Sequence, residues 1–589
     1  MSLDSSLNVL QEHQLLRTVL EPEPGFTFNH ALTWEAAYQS LLMSKRQEIH
    51  RQVAECYERL FQGRIEEYAA QLAWHFSAAG DAAKTVKYAK LAGDTALRRS
   101  ALLEALAEYD KALEEGRDGA ADDEQLIDIY LGRGRTLELS ARHEAAMLNY
   151  AEMARLGSER QDPGLKLSAL LAQATLYSVP STVYRPEEGL ALAQEASSLA
   201  RELADHRAES RALWILSLLE GFSGNSKQSI EYGESSLALA RQYDYREQAA
   251  YTLNNLSTSY MGVGDLENAG NSLEEAASVW RELGNLPMLT DTLSNFSIHY
   301  FGLGDFDESL RSADEAQTIS KSIGNVWGEA YGRFIVSYVL AERGEWGMAL
   351  RSAEECLELA DQAGFIPPQC VVQAQVAFIY SEAGATEQAI ARARMAAEVA
   401  ERLYPVWRSF AHAILARCRL AASDLEGARQ TINEAIADLR PGDPLAAISS
   451  VLVRLIEAQV ALASGDYTRV MTACDSLRRF REGGVKSYLT DELLLRGLAS
   501  SAMGDDKTAR VHLEAAVAEG QAVGCRRSLW KALLAWSELE AKRGDAHRAE
   551  ELRAQAVEQV NFIADHLEIE ELKRSFLTQT LVRKAMDRA

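Results

Sequence analysis

Residues that could carry catalytic or metal chemistry occur in the chain, but their spacing does not suit it. No two of the 11 histidines form an H-x-x-x-H or H-E-x-x-H pattern, and the 6 cysteines lie far apart without a C-x-x-C pair. Zinc sites are built from ligands at such close spacings. The cysteine pattern also argues against a disulfide framework and is typical of a reducing cytoplasm.

Phosphate loops and activated nucleophiles are also missing from the sequence. The segment Gly80-Asp81-Ala82-Ala83-Lys84-Thr85 resembles G-x-x-x-x-G-K-[ST] but lacks its second glycine, and G-x-S-x-G does not occur. Adjacent acidic pairs point in directions about 100° apart on a helix, so they do not make a two-carboxylate site. We therefore expect no catalytic residues, no cofactor and no metal, and hence a protein that is not an enzyme.

The charge of the chain bears on which partners it binds. The formal net charge is −25, whereas proteins that bind nucleic acid usually present a basic face to the phosphates. No apolar run reaches the roughly 18–20 residues needed to span a bilayer, and the first residues do not form a signal peptide. We expect a soluble cytoplasmic protein that binds neither nucleic acid nor membrane; its oligomeric state is left open.

Turn-forming residues recur at a period of 40 residues. They stand at Gly224, Gly264, Gly304, Gly344, Gly384, Ser423, Gly465, Gly504 and Gly544. A second set lies about halfway between them, at Asp244, Gly284, Gly324, Gly364, Tyr404, Pro441 to Pro444, Gly484 and Gly524. Two turns in each period leave two helices of roughly 15–17 residues, with glycine ending one helix and a following Asp or Asn capping the next. Helical hairpins at a fixed period stack into a solenoid.

The residues between the turns support this interpretation. Leu253, Leu256 and Tyr260 share one helical face. After the Gly264 turn, the next face carries Leu266, Ala269, Leu273 and Ala276. Small residues at two of these positions allow the two helices to approach closely.

The order of large apolar, small, Tyr, Gly-Asp, Ala, apolar and Ala resembles the tetratricopeptide repeat. It is seen as Leu256, Ser257, Tyr260, Gly264, Asp265, Ala269, Leu273 and Ala276, and again from Phe296, Val336 and Val376 onward. A standard unit has 34 residues, so these units are longer, and HEAT-like repeats are the alternative. The resemblance implies an all-α fold: a right-handed superhelical solenoid of tetratricopeptide-like hairpins with a period of about 40 residues.

The two ends of the chain resemble another family. Gly25 to His30 alternates like a short strand, and a helix is expected to run from Trp34 to Ala54. The string Phe28, His30, Leu32, Glu35, Tyr38, Leu41, Leu42, Arg46 and His50 is similar to the junction of bacterial STAND-type signalling ATPases, where a winged helix meets the repeats. The segment from Glu571 to Leu577, with Val582 and Arg583, resembles the end of such repeat arms. These ATPases are commonly linked to class III adenylate or guanylate cyclases, protein kinases or LuxR-type regulators.

The patterns divide the chain into five parts. We expect a junction segment at residues 1–60, first hairpins at 61–116, irregular repeats at 117–205, regular 40-residue repeats at 206–565, and a capping helix and tail at 566–589. Whether the arm is a fragment or a separately encoded protein is left open.

Alignment to the repeat places certain side chains on the concave groove, which the first helix of each unit lines. The candidate groove residues are Asn254, Asn255, Thr258, Ser294, Asn295, Phe334 and Tyr338. Asn255 and Asn295 resemble part of the clamp that grips peptide carboxylates, although Tyr251, Asp291, Tyr331 and Ile335 stand where that clamp has basic residues. Alternatively, these asparagines satisfy neighbouring helices.

Three functions remain compatible with these patterns. The first is a non-catalytic interaction and sensor arm of a signalling ATPase, which binds a protein or peptide partner in its groove. The second is a small-molecule inducer-binding arm of a transcriptional regulator. The third is an enzyme with an unrecognised site, which no nucleophile–base pair, metal cluster or phosphate loop supports.

Overall fold

A computed structural model describes residues 3–19, 25–99, 101–140, 142–178, 183–403, 405–439 and 446–587. The chain divides into two compact units, residues 1–169 and 170–589. Apart from one two-stranded sheet, the regular elements of these described residues are helical. The predicted all-α repeat fold is therefore confirmed.

The first unit begins with a helix and a β-hairpin and continues as helices. Its elements are α1 (Leu3–Glu12), β1 (Leu16–Val19), β2 (Gly25–Phe28), α2 (Ala31–Gln39), α3 (Met43–Leu60), a 3₁₀ helix (Gln62–Tyr68), α4 (Ala69–Ala79), α5 (Ala82–Arg98), α6 (Leu102–Glu115), a π-helical turn (Gly116–Ala120), α7 (Asp123–Leu139) and α8 (His143–Arg160). The division between the units falls within α9 (Pro163–Ser178).

The head of this unit agrees with the sequence in part. The predicted strand at Gly25–Phe28 is present and pairs antiparallel with Leu16–Val19, with Leu16 opposite Phe28. The prediction of one continuous helix from Trp34 to Ala54 is wrong, because α2 ends at Gln39 and α3 begins at Met43. No residue of α2 is buried, so that helix gains little from packing within its own unit.

The second unit is a series of helical hairpins. Its elements are α10 (Pro186–Glu202), α11 (His206–Phe222), α12 (Ser226–Gln242), α13 (Arg246–Val263), α14 (Leu266–Leu283), α15 (Leu286–Leu303), α16 (Phe306–Ser322), α17 (Val326–Phe334), α18 (Val336–Glu342), α19 (Trp346–Ala363), α20 (Pro367–Glu382), α21 (Thr386–Leu403), a 3₁₀ turn (Pro405–Trp407), α22 (Arg408–Ala421), α23 (Leu425–Ala437), α24 (Ala446–Ala463), α25 (Tyr467–Asp475), α26 (Arg478–Glu482), α27 (Leu489–Ala502), α28 (Asp506–Val523), α29 (Arg526–Arg543), α30 (Ala546–Asp565), α31 (Glu570–Thr578) and α32 (Thr580–Met586).

The predicted turns have the backbone that a helix stop requires. Gly264 has φ +85° and Gly304 has φ +75°, and the remaining predicted turn positions within the described residues are likewise left-handed, including Ser423 and Asp244. The Asp265 carboxylate then accepts a hydrogen bond from the Asn268 amide and caps α14. The predicted turns at Tyr404 and at Pro441 to Pro444 lie outside the described residues.

Small residues allow the two helices of a hairpin to meet. The hydroxyls of Ser297 and Ser309, 12 residues apart, each donate to the carbonyl oxygen of the other residue at 2.7 Å. Ala269 and Leu273 of the preceding hairpin are fully buried. Each fully buried leucine contributes about 1.5–3 kcal/mol, so the repeated face holds the array together.

Later hairpins of the second unit return to touch earlier ones. The backbone amide of Lys486 donates to the Gly302 carbonyl oxygen at 2.8 Å, and the Gly347 amide donates to the carbonyl oxygen of His566 at the same distance. Trp346 packs edge-on against Phe576, with ring centroids 5.2 Å apart. Helices between α15 and α20 are thus covered in part by the segment from α26 to α32.

Candidate functional site

Most of the predicted groove residues are buried rather than open to a partner. Asn254, Ser294, Asn295, Phe334 and Tyr338 are each exposed by 4% or less, so they offer little surface to a partner, and their place in a binding groove stays a prediction. Asn255 and Thr258 are half-buried and keep some accessible surface. These residues are buried because the first helix of each hairpin, which we call the inner helix, packs against the inner helix of the next hairpin. The later hairpins that return to the earlier ones add to this burial.

Two of the predicted residues belong to a chain of polar side chains that crosses three inner helices. Asn254 of α13 donates from Nδ2 to the Asp291 carboxylate of α15 at 2.5 Å. Asn295 of α15 donates to Asn254 Oδ1 at 3.1 Å, and the Tyr331 hydroxyl of α17 donates to Asn295 Oδ1 at 2.6 Å. We call Asp291, Asn254, Asn295 and Tyr331 the polar ladder. Its two middle members are buried, and its two ends, Asp291 and Tyr331, are half-buried.

Asp291, the acidic end of the ladder, lies in an environment that disfavours its ionised form. Burial raises the pKa of Asp291 to about 6, although the hydrogen bond from Asn254 opposes the shift. Burial and the nearby charge of Asp291 also raise the pKa of Tyr331. A desolvated carboxylate favours its protonated form unless a cation approaches.

Aromatic side chains flank the ladder. Tyr251 is half-buried and lies with its ring centroid 5.6 Å from that of Trp214. On the other side Trp327, which is 38% exposed, lies with its ring centroid 5.2 Å from that of Tyr331. The aromatic rings of α13 and α17 therefore pack mainly between hairpins, and each of these residues keeps some accessible surface.

A second polar group lies on the inner helices further along the chain, and we call it the closing cluster. Its members are Glu342, Glu382, Arg417, Asp491, Arg527 and Lys531. The Arg527 guanidinium donates to Glu342 at 2.8 Å and binds Asp491 through two hydrogen bonds of 3.1 and 2.5 Å. Glu382 accepts from Lys531 at 2.6 Å and also pairs with Arg417. Three acids thus face three bases, and they join residues up to 185 positions apart in sequence.

The charges of this cluster stabilise each other. Arg527 is 1% exposed, and although burial opposes it, Asp491 and Glu342 hold its pKa well above the ordinary value. Burial also opposes ionisation of Glu382, but Lys531, Arg417 and Arg527 lower its pKa to about 2. Burial raises the pKa of Glu342. A buried carboxylate is tolerated here because cations compensate it.

Sequence reasoning missed the closing cluster, although a signal for it exists. Glu342 and Glu382 each stand two residues before a turn glycine, where the two preceding units have Gly262 and Gly302. A charged residue at a position where the preceding units have glycine indicates that its helix makes a specific polar contact there. The repeat periodicity does not identify the Arg and Lys side chains that pair with these two acids.

The comparisons with known proteins bear on the region of the polar ladder. Residues 248–322 match the tetratricopeptide repeat family. This range contains all of α14 and α15 and three of the four members of the polar ladder, Asp291, Asn254 and Asn295. The chain contains tetratricopeptide repeats. No curated protein matches the sequence. A solved structure of a Rap protein complexed with competence and sporulation factor has 14% identity and a TM-score of 0.45, covering 61% of this chain and 99% of that one.

Beside the tetratricopeptide hairpins lies a recess lined by Val451, Leu477, Phe480, Arg481, Val485, Ser487, Tyr488, Leu489 and Glu492. Its accessible volume is about 10 Å³, far below the roughly 300–1,000 Å³ of ordinary ligand pockets. Its size therefore gives little support to a small-molecule site. The inducer-binding alternative stays a prediction.

Metal-binding clusters and membrane-spanning helices are both absent from the described ranges. These ranges contain no group of three or more His, Cys, Asp or Glu side chains arranged to hold a metal ion. None of their helices is long and apolar enough to cross a bilayer.

In the head, the junction-like residues contact one another. The Tyr38 hydroxyl and His50 Nε2 are 2.9 Å apart, and His50 Nδ1 lies 3.0 Å from His75 Nδ1. Burial lowers the pKa of both histidines. Two neutral imidazoles can share such a contact, because one ring donates its proton and the other accepts it.

Proposed function

We propose that the chain is a non-catalytic interaction scaffold that holds an extended segment of a partner protein on the inner face of α13, α15 and α17. One observation carries the proposal. The polar ladder is fixed in its buried middle and accessible at its two ends, and most of it lies within the residues that match the tetratricopeptide repeat.

The side chains beside the ladder suit a peptide backbone. Asn255 is half-buried, and its side-chain amide makes no hydrogen bond with the described residues. A free primary amide offers two donors and one acceptor, which match the carbonyl and amide groups of an extended peptide. Thr258 lies one turn further along α13, with its hydroxyl bonded to the Asn255 carbonyl oxygen at 2.7 Å.

The proposal is tested with peptides selected from a displayed random library on the full chain. We expect the double variant Asn255→Arg, Thr258→Arg to bind the best selected peptide at least tenfold more weakly, because two long side chains fill the inner face. Asn271→Arg on the outer helix α14 is the matched control and should bind as the unmodified chain does. Equal binding by the double variant contradicts the proposal, and hydrolysis of ATP by the purified chain contradicts its non-catalytic part.

We further propose that the scaffold acts in the cytoplasm as the sensing arm of a STAND-type signalling ATPase. The support is the junction-like string in β2, α2 and α3, which stands directly before the hairpins. The DNA that flanks the coding sequence is the test. We expect a nucleotide-binding segment encoded in frame or in the adjacent gene, and flanking genes without such a segment contradict this context.

A further inference from the structure

Asp291 is an acid whose surroundings differ from those of the buried acids elsewhere in the second unit. Glu382 faces three cations and Asp491 binds Arg527, whereas Asp291 accepts a hydrogen bond from the neutral amide of Asn254. Within the described residues it pairs with no Lys, Arg or His, and no cation contributes to its electrostatics. Its carboxylate is therefore largely desolvated without charge compensation.

Such an arrangement has a free-energy cost that a ligand can remove. An uncompensated carboxylate in a shielded site loses hydration that one amide donor replaces only in part. A charge-assisted hydrogen bond from an ammonium or guanidinium group is roughly twice as strong as a neutral one. The residue is half-buried, so part of its surface stays accessible to a partner.

The neighbouring groups also favour a cation. Although Tyr331 is at the other end of the ladder, it lies within the range of the Asp291 charge. The centroid of Trp327 is 5.2 Å from that of Tyr331, and aromatic faces attract Lys and Arg. An anionic group would meet repulsion from Asp291 in a chain with a net charge of −25. A neutral group would bury the carboxylate further without compensating it.

From this geometry we infer that the inner face recognises a basic segment of its partner, with Asp291 as the counter-ion for one Lys or Arg side chain. The inference rests on the proposed function and specifies the chemistry of the partner. Asn255 would bind the peptide backbone, and Asp291 would fix its register by pairing with the cation.

The test uses a displayed library of random 12-residue peptides and the full chain in three forms. These are the unmodified protein, Asp291→Asn, and the control Asp314→Asn on the exposed face of the outer helix α16. Asparagine keeps the shape of Asp291 and can still accept from Asn254, so the ladder should persist. Circular dichroism and the thermal midpoint verify that each variant is folded.

We expect peptides selected on the unmodified chain and on Asp314→Asn to carry Lys or Arg at one fixed position. The best of them, made synthetically, should bind Asp291→Asn about tenfold more weakly in fluorescence anisotropy, and replacing its basic residue by norleucine should abolish that difference. Selected peptides without basic enrichment, or equal binding by Asp291→Asn, overturn the inference and leave the proposed function in place. If the library yields no binding peptide, both are contradicted.

Discussion

The polar ladder and the closing cluster occupy the same kind of position, the inner face of a first helix, and use it differently. In the closing cluster the acids of α18, α20 and α27 meet the bases of α22 and α29, and the two sets neutralise each other within the chain. In the ladder Asp291 accepts a hydrogen bond from the Asn254 amide and pairs with no cation among the described residues. The same repeat type thus closes the solenoid through its inner face in one region, and in the other it leaves an acid without a cation among the described residues, which the proposed function assigns to a partner protein.

The largest expected effect comes from breaking the closing cluster. Arg527→Met keeps much of the side-chain volume but leaves Glu342 and Asp491 buried without their cation. Removing one member of a buried ionic group destabilises by about 3–5 kcal/mol, and chemical unfolding followed by circular dichroism measures it. Arg241→Met is the control, since its pair with Glu275 is about half exposed and should contribute less than about 1 kcal/mol. Similar unfolding midpoints for the two variants would mean that the cluster does not hold the solenoid closed.

A second way to break the closure acts on the backbone. A Cβ atom at Gly483 would lie 1.6 Å from the carbonyl oxygen of Gly264, and a backbone atom cannot rotate away. Gly483→Ala should therefore separate the two segments and cost about 3 kcal/mol, near the upper end for overpacking. Gly63→Ala, where a Cβ would meet no atom within 4 Å, should leave the thermal midpoint nearly unchanged. If Gly483→Ala melts with the unmodified chain, the close approach at Gly264 is not required for stability.

The two regions should respond to pH with opposite sign. The folded pKa of Asp291, about 6, lies above its ordinary 3.8, so its favourable contribution is complete below pH 3.8 and is lost as the pH rises through 6. The folded pKa of Glu382, about 2, lies below its ordinary 4.5, so its contribution is complete above pH 4.5 and is lost only as the pH falls toward 2.

Two isosteric variants separate these contributions in thermal melts between pH 4 and pH 8. Asp291→Asn should gain about 1–3 kcal/mol over the unmodified chain at pH 7 and little at pH 4. Glu382→Gln should lose stability by a nearly constant amount from pH 5 to pH 8. A pH-independent effect of Asp291→Asn would show that its carboxylate is not desolvated in the way described.

The smallest expected effect on stability comes from removing one hydrogen bond of the polar ladder. Tyr331→Phe removes one hydrogen bond to Asn295 at a half-buried position, which should cost about 0.5–1.5 kcal/mol. Tyr380→Phe is the control for loss of a tyrosine hydroxyl at another half-buried site. An equal loss in both variants would mean that the Tyr331 contact contributes nothing specific to the ladder.

The sequence predicted the local structure of the repeats well and their long-range closure not at all. The turn at Gly264 and the cap at Asp265 follow from local backbone chemistry, so spacing alone locates them. The closing cluster depends on small rotations that add up over many repeats before Arg527 reaches Glu342. Asn254 and Asn295 were identified as inner-face residues, but their burial follows from neighbouring helices that a single repeat pattern does not contain.

Photo-crosslinking tests most directly the claim that the face around the polar ladder binds the partner while the closed face does not. A library-selected peptide carrying a diazirine is crosslinked to the full chain, and the labelled residues are mapped by mass spectrometry. We expect crosslinks on α13, α15 and α17, lost on competition with unlabelled peptide. Competed crosslinks on the outer helices or on α27 and α29 instead would contradict the account.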